Sequence, residues 1–267
     1  MQLPHKDNGC KGTYLPPCIV SKHLSAPPAT LFRVSDENRR SSISDLKCIF
    51  TRSGYSISLA DSPRRYSMVN RLIKSMYSWR GYQTENATIS SRNPNQLTLD
   101  ASVGGDVVGT LTIGSDSTDG LLVDALYGKE IMLLRAENRK ICELSKLAIN
   151  PDHGSKELLA SLFNLAYIYG RIVEKATDFV IEVNPRHAAY YKRLLGFQQI
   201  GETRTCERVN APAVLLHLDL DYVDAQVSAL AGTREPKQRS LYAYFLTKRE
   251  ESRVASTLQR RVREPIN

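Results

Sequence analysis

Glu143, Ser145 and Lys146 stand within four positions of one another in the apolar run ICELSKLAI, bringing together a carboxylate, a hydroxyl and an ammonium. An apolar strand that carries an ionisable pair can hold the pair beside a substrate. In a straight strand Glu143 shares a face with Ser145, and Lys146 points to the other face. The run leads through Asn150-Pro-Asp-His-Gly to Ser155, where a long helical pattern opens. A helix start at that place can receive an anionic group. A purely structural Glu143–Lys146 ion pair accounts for the same residues, and the sequence leaves both readings open.

Other residues with chemical capacity stand at element ends. Trp79, the one tryptophan, is followed by Arg80 and Tyr82, and it reads either as core or as a substrate wall. His187 opens a helical stretch just beyond the apolar run DFVIEV, where a histidine serves as a cap or as a functional group. Tyr190 and Tyr191 are adjacent, so on a helix they point in different directions and one can line a cleft while the other packs. There is no Gly-x-Ser-x-Gly elbow, Walker loop, His-Glu-x-x-His pair or zinc-finger spacing, so those chemistries have no support and no metal is expected.

The elements that must position these residues follow from periodicity. Alternation in YSISLADS predicts a strand, and Ser62-Pro63 a helix start with Pro in the first turn. Met68, Val69, Leu72, Ile73 and Met76 then recur at helical spacing up to Trp79, and Gly81 ends the helix. Residues 96–102 and 107–113 alternate around a Gly-Gly-Asp turn, a hairpin signal. A helix is expected over 126–136, a strand over 140–149, and one long helix over 155–176 with an apolar stripe. DFVIEV reads as a central strand, 187–195 as a short helix stopped by Gly196, and 197–205 and 213–220 as two last strands. A short strand is expected over 46–50. This order divides the chain into a flexible arm (1–52), a mixed α/β domain (53–231) and a basic tail (232–267). The tail has apolar spacing suited to one or two helices. A solvated charged helix is the default expectation for it, with the domain, a membrane surface or an acidic partner as other resting places.

Composition sets outer bounds. Across 267 residues the formal net charge is +8, which suits an acidic partner or simply a solvated basic surface. Cys10, Cys18, Cys48, Cys142 and Cys206 form no Cys-x-x-Cys pair, and an odd count with Cys142 in an apolar strand favours reduced thiols. The first residues lack the apolar core of a secretory signal, and no run approaches the roughly 18 apolar residues that span a bilayer. The expectation is a cytoplasmic protein with, at most, peripheral membrane contact.

The order of elements resembles the GNAT acyltransferase fold, an α/β fold in which a central mixed, twisted sheet is flanked by helices. VNPRHAAYYKRLLGF, from Val183 to Phe197, resembles the GNAT ending in which a strand runs into a Tyr-bearing helix closed by Gly-Phe. Its Asn-Pro-Arg-His opening and paired tyrosines resemble the N-acyl amino acid synthases of the FeeM type, relatives of the acyl-homoserine lactone synthases. Glu143-Leu-Ser-Lys146 resembles their Glu-x-Ser-Arg strand motif with Lys in place of Arg. Trp79-Arg-Gly-Tyr82 resembles the Arg-Gly-Tyr after the first helix, and Ala211-Pro-Ala-Val-Leu-Leu216 the closing strand. GNAT enzymes hold coenzyme A pyrophosphate on a glycine-rich loop before the long helix. Here Asn150–Ser155 offers one Gly, a Pro without an N–H and an Asp.

The resemblance implies an N-acyltransferase that joins a long-chain fatty acyl group from acyl carrier protein to an amino acid amine, by direct attack on the thioester. No cofactor is implied. The Asn150–Ser155 loop favours acyl carrier protein over coenzyme A as donor, and the basic excess gives an acidic carrier protein a natural partner. The scattering of the basic residues speaks against nucleic acid. Glu143 would orient and deprotonate the amine, with Ser145 beside it on the same strand. A β-bulge of the GNAT kind would turn Lys146 into the cleft and free a backbone N–H for the thioester oxygen. Tyr191 would be the acid toward the leaving thiolate. Lys146 or Arg80 would hold the acceptor carboxylate, with Trp79, Tyr82 and His187 as further substrate contacts. The alternatives are a coenzyme A-dependent GNAT enzyme acting on a small amine and a silent GNAT-like module that binds nucleic acid.

Overall fold

A computed structural model describes residues 48–90, 93–234 and 239–263. Most of the expected N-terminal arm, residues 1–47, lies outside the described residues. Its last part does not behave as an arm: β1 (Cys48–Arg52) pairs with β2 (Tyr55–Leu59) and extends the sheet by one strand.

Helix α1 (Pro63–Trp79) begins where the Ser62 hydroxyl accepts from the Arg65 N–H at 3.4 Å and Pro63 occupies the first turn. Val69, Leu72, Ile73 and Met76 form its buried stripe. The hairpin follows as β3 (Gln96–Val103) and β4 (Asp106–Ser115), turning on Gly104 and Gly105, both at positive φ (57° and 91°). Helix α2 (Asp124–Ala136) is irregular at Tyr127, whose hydroxyl donates to the Ala213 carbonyl at 2.7 Å. The central strand β5 (Ile141–Ile149) pairs antiparallel with β4 and parallel with β6 (Asp178–Val183).

The crossover between β5 and β6 is α3 (Lys156–Tyr167), continued by a π-helical stretch, Ile168–Val173. The long helix expected over 155–176 therefore changes its winding at the point where Gly170 lies against the Phe179 ring; a Cβ there would stand 2.5 Å from that ring. Helix α4 (Pro185–Leu195) ends on Gly196 in the left-handed region, as the sequence suggested. The strand expected over 197–205 is instead two short pieces, β7 (Gln198–Gln199) and β8 (Arg204–Cys206), both paired with β9 (Ala211–Asp219). The break falls at Gly201, which passes under the Tyr127 ring with no room for a side chain.

The strands form one mixed sheet in the order β1-β2-β3-β4-β5-β6-β9-β7, antiparallel except for β5 and β6. One face is covered by α1 and α2, through Ile73 and Met76 near Ala148 and through Tyr127 and Ile131 over Val180 and Leu215. The other face carries the larger core, built on α3, α4 and α5 (Leu220–Leu230).

The tail is part of that larger core. Leu241, Tyr242 and Phe245 are almost wholly buried, the Tyr242 hydroxyl donates to the Leu195 carbonyl, and the Leu246 N–H donates to the Asn164 side chain. Helix α6 (Lys248–Arg263) buries Val254, Ala255 and Leu258 and packs against the π-helical stretch and β1. The solvated helix expected here is thus amphipathic, and its apolar side is already covered by the domain. Full burial of a Leu or Phe contributes roughly 1.5–3 kcal/mol, which favours docking of the tail on the domain.

Candidate active site

The ladder between β5 and β6 runs from Ile141↔Asp178 to Leu144↔Ile181 and stops, although both strands continue. Beyond that point they part, and two clefts open between them. One, of about 650 Å³, has a largely apolar wall that includes Leu111, Leu144, Phe163, Ile181 and Tyr191. The other, of about 1150 Å³, is more polar and includes Asn86, Asn93, Gln96, Glu143 and Arg208. Ser145, Lys146, Glu182 and Tyr82 border both. The expected catalytic strand therefore lies between two clefts, one with Leu111, Phe163 and Ile181 in its wall and the other with Glu143 and Arg208.

A bulge shapes that partition. Thr112 of β4 opposes Ser145 and Thr110 opposes Ala148, so β5 carries one extra residue at Lys146–Leu147. Lys146 sits at φ 52°, a left-handed conformation unusual for a side-chain-bearing residue. It lines the cleft, as the resemblance implied. Burial lowers its pKa, the Glu143 carboxylate opposes that shift, and Arg208 reinforces it.

Glu143 is 3% exposed, and its Oε2 accepts from the Val123 N–H at 3.2 Å, just ahead of α2. Burial raises its pKa from 4.5 to about 7, against the pull of the Val123 and Leu122 N–H groups and of Arg208. A carboxylate with that value exchanges a proton near neutrality. Among the described residues Glu143 makes no ion pair, so the structural Glu143–Lys146 bridge does not form.

Arg208 is the residue that sequence reasoning passed over. It lies in the turn before β9, donates to the Leu122 carbonyl at 2.5 Å and pairs with Glu182 at 3.0 Å. Glu182 was also missed, since its position inside DFVIEV marks it only as a strand residue. The one available signal for Arg208 was its place three residues before the APAVLL segment.

His187, Arg80, Tyr82 and Tyr191 meet around the apolar cleft. The His187 Nε2 accepts from the Arg186 Nε–H at 3.3 Å, which places the ring proton on Nδ1. Nδ1 is buried and has no partner among the described residues. Burial, with Arg186 and Arg80 nearby, lowers the His187 pKa to about 4, so the ring is neutral at ordinary pH. The Tyr82 hydroxyl accepts from Arg186 at 2.9 Å, and the Tyr191 ring packs edge-on against Phe163 and Phe197. Trp79 stands apart: it borders neither cleft, and the Arg80 guanidinium covers its ring at 5.1 Å.

The start of α3 is occupied by the chain itself. Ser155 accepts from the Leu158 N–H at 3.0 Å, Asn150 caps the short turn Pro151–His153, and Glu157 lies in the first helical turn. The Lys156 ammonium is turned onto the Tyr244 ring, 4.9 Å from its centre.

A family-wide sequence model described as N-acyl amino acid synthase FeeM matches residues 68–219, which spans both clefts and the bulged strand. The chain belongs to that family. The solved structure of FeeM, an N-acyl amino acid synthase from uncultured soil microbes, is 26% identical; the match covers 62% of this chain and 92% of that one, with a TM-score of 0.57. An acyl-CoA N-acyltransferase from Pseudomonas aeruginosa is 14% identical over 61% of this chain and 97% of its own, with a TM-score of 0.44. No curated protein matches the sequence. As a member of the FeeM family of N-acyl amino acid synthases, the protein is an N-acyltransferase. No described helix is long and apolar enough to cross a membrane.

Proposed function

We propose that this FeeM-family chain transfers a long-chain fatty acyl group from acyl carrier protein to the amine of an amino acid. The observation that carries the reading is the meeting, at Ser145 and Lys146, of a cleft walled by Leu111, Phe163 and Ile181 with a second cleft that holds Glu143 and Arg208. The acyl chain lies against Leu111, Phe163 and Ile181, and the amino acid enters beside Glu143.

The acceptor arrives as an ammonium and must lose a proton before it attacks. Glu143, poised near neutrality by burial, takes it. The amine nitrogen then forms a bond to the thioester carbon, the carbon–sulfur bond breaks, and the thiolate leaves to become a thiol. Beyond Leu144 the edge of β5 that faces β6 is unpaired, so the bulge presents backbone N–H groups to the carbonyl oxygen as it gains charge. Tyr191 supplies the acid for the thiolate, and the His187 Nδ1–H is a second donor in the same wall. Arg208 and Lys146 hold the acceptor carboxylate. Arg suits that task better through its planar fork, and Arg80 serves the mouth of the acyl cleft instead.

The carrier-protein donor is supported by the start of α3. Its Leu158 N–H is capped by Ser155, and Glu157 and Asp152 would repel a pyrophosphate there.

The test is turnover of purified protein with a mixture of amino acids and either acyl carrier protein or coenzyme A thioesters of one long-chain acid, read by mass spectrometry. N-acyl amino acids formed from the carrier-protein thioester, and lost with Glu143→Gln, are the expected result. Faster turnover from the coenzyme A thioester would overturn the donor assignment, and acylation of amines without a carboxylate alone would overturn the acceptor.

A further inference from the structure

Helix α1 contains Arg64, Arg65, Arg71 and Lys74 and neither an Asp nor a Glu. Arg65 is turned inward and pairs with the buried Asp100 carboxylate. Arg64, Arg71 and Lys74 are exposed, and their spacing of seven and three places them on one face. None of the three makes an ion pair to a described residue, whereas most other arginines of the domain are paired, as Arg135, Arg139 and Arg171 are. The other exposed positions on this side are Ser67, Ser75 and Ser78, small side chains that leave the helix easy to approach. Asp61 and the Arg65-paired Asp100 stand at the first turn of α1, Glu85 lies exposed in the following loop, and Asp106 is exposed at the start of β4, on which α1 packs.

This cationic face leads to the site. Tyr77, one turn after Lys74, borders both clefts, and Arg80 borders the apolar one. Arg186 continues the same rim from the start of α4 through its contact with Tyr82. An exposed helix normally balances its cations with acids three or four residues away, and a face without them repels itself. Its compensation is an anionic partner.

We propose that the exposed face of α1, centred on Arg71 and Lys74, is the docking surface for the acyl carrier protein. This placement rests on the carrier-protein reading above. An acidic helical carrier laid along α1 puts its acylated arm at Arg80 and the mouth of the apolar cleft. Charge complementarity of this kind governs encounter and orientation, and salt screens it over about 8 Å at physiological ionic strength.

The experiment compares wild type with the double variant Arg71→Glu, Lys74→Glu, neither residue bordering a cleft. Binding of the carrier protein is measured directly, turnover is measured with an acyl carrier protein thioester and with the matching acyl-pantetheine, and melting temperature controls for folding. The expected result is carrier-protein affinity weakened about tenfold or more, with acyl-pantetheine turnover and melting temperature unchanged. Wild-type carrier turnover falls steeply with added salt, and that of the variant does not. Unchanged carrier affinity in the variant overturns the docking surface while leaving the donor assignment standing. Equal losses with both donors assign a structural role to these residues. Loss of binding to phosphatidylglycerol vesicles with carrier turnover intact makes the face a lipid contact instead. A wild type that neither binds nor uses the carrier protein removes the donor assignment, and this surface with it.

Discussion

Leu144 and Ile149 join the same hydrophobic core on the same side of the sheet, although five positions separate them. A regular strand would place them on opposite faces. The residue inserted at Lys146–Leu147 restores the parity, and it does so beside the end of the β5–β6 ladder. The bulge thus lets the strand keep Glu143 on the helix α2 side, bring Lys146 to the cleft and still bury its last residue in the main core.

Glu143→Gln should lower kcat/KM by about 10²–10⁴ if the carboxylate takes the amine proton. In the wild type the rate should rise as pH passes through about 7, and the variant should lack that step. The sign for stability is opposite to that of a paired carboxylate. The folded protein keeps the Glu143 proton up to about pH 7, whereas the unfolded chain releases it near 4.5. Stability therefore falls across that window in the wild type. Glu143→Gln should melt higher relative to wild type at pH 8 than at pH 4, by an amount worth about 1–3 kcal/mol.

The left-handed backbone of Lys146 can be tested by substitution at that position. Glycine adopts such a φ freely, and a β-branched residue does so at a cost. Lys146→Val should be less stable than Lys146→Gly by about 1–2 kcal/mol in denaturant titrations. Equal stability of the two would mean that the bulge is not strained.

Arg208→Lys keeps the charge and loses the fork. KM for the amino acid should rise by about tenfold or more, a change worth 1.4 kcal/mol or more, while KM for the acyl donor stays constant. Turnover of the matching amine without a carboxylate should be equal in wild type and variant. A parallel loss with that amine would assign Arg208 to holding Glu182 and the Leu122 carbonyl only.

The buried tail makes its own prediction. Phe245 is 2% exposed and lies between Tyr242 and Tyr167. Phe245→Ala should cost about 3–5 kcal/mol in chemical denaturation. Activity per folded molecule should stay near wild type, since Phe245 borders neither cleft.

Most of the fold was legible because its elements are locally consistent. Ser62-Pro63 starts α1, Gly104-Gly105 turns the hairpin, and DFVIEV and ICELSKLAI are runs that bury well in the middle of a sheet. The misreadings share one cause, a long-range contact that overrides a local pattern. The Tyr127 ring breaks the expected strand at Gly201, the Phe179 ring meets the helix where it becomes π-helical at Gly170, and the core takes the apolar side of a tail that reads locally as a solvated helix.

The candidate site divides in the same way. Residue types and order alone determined the central strand with Glu143, Ser145 and Lys146, the short helix that carries His187 and Tyr191, although it starts at Pro185 rather than His187, and the family to which they point. Only the tertiary structure decided which of these groups share a space. It parted β5 from β6 after Leu144, turned Lys146 into the cleft, brought Arg208 from a distant turn to Glu182, and left Trp79 outside under Arg80. It also set the Glu143 carboxyl near neutrality, because burial is a property of the packed chain and no local run of residues contains it.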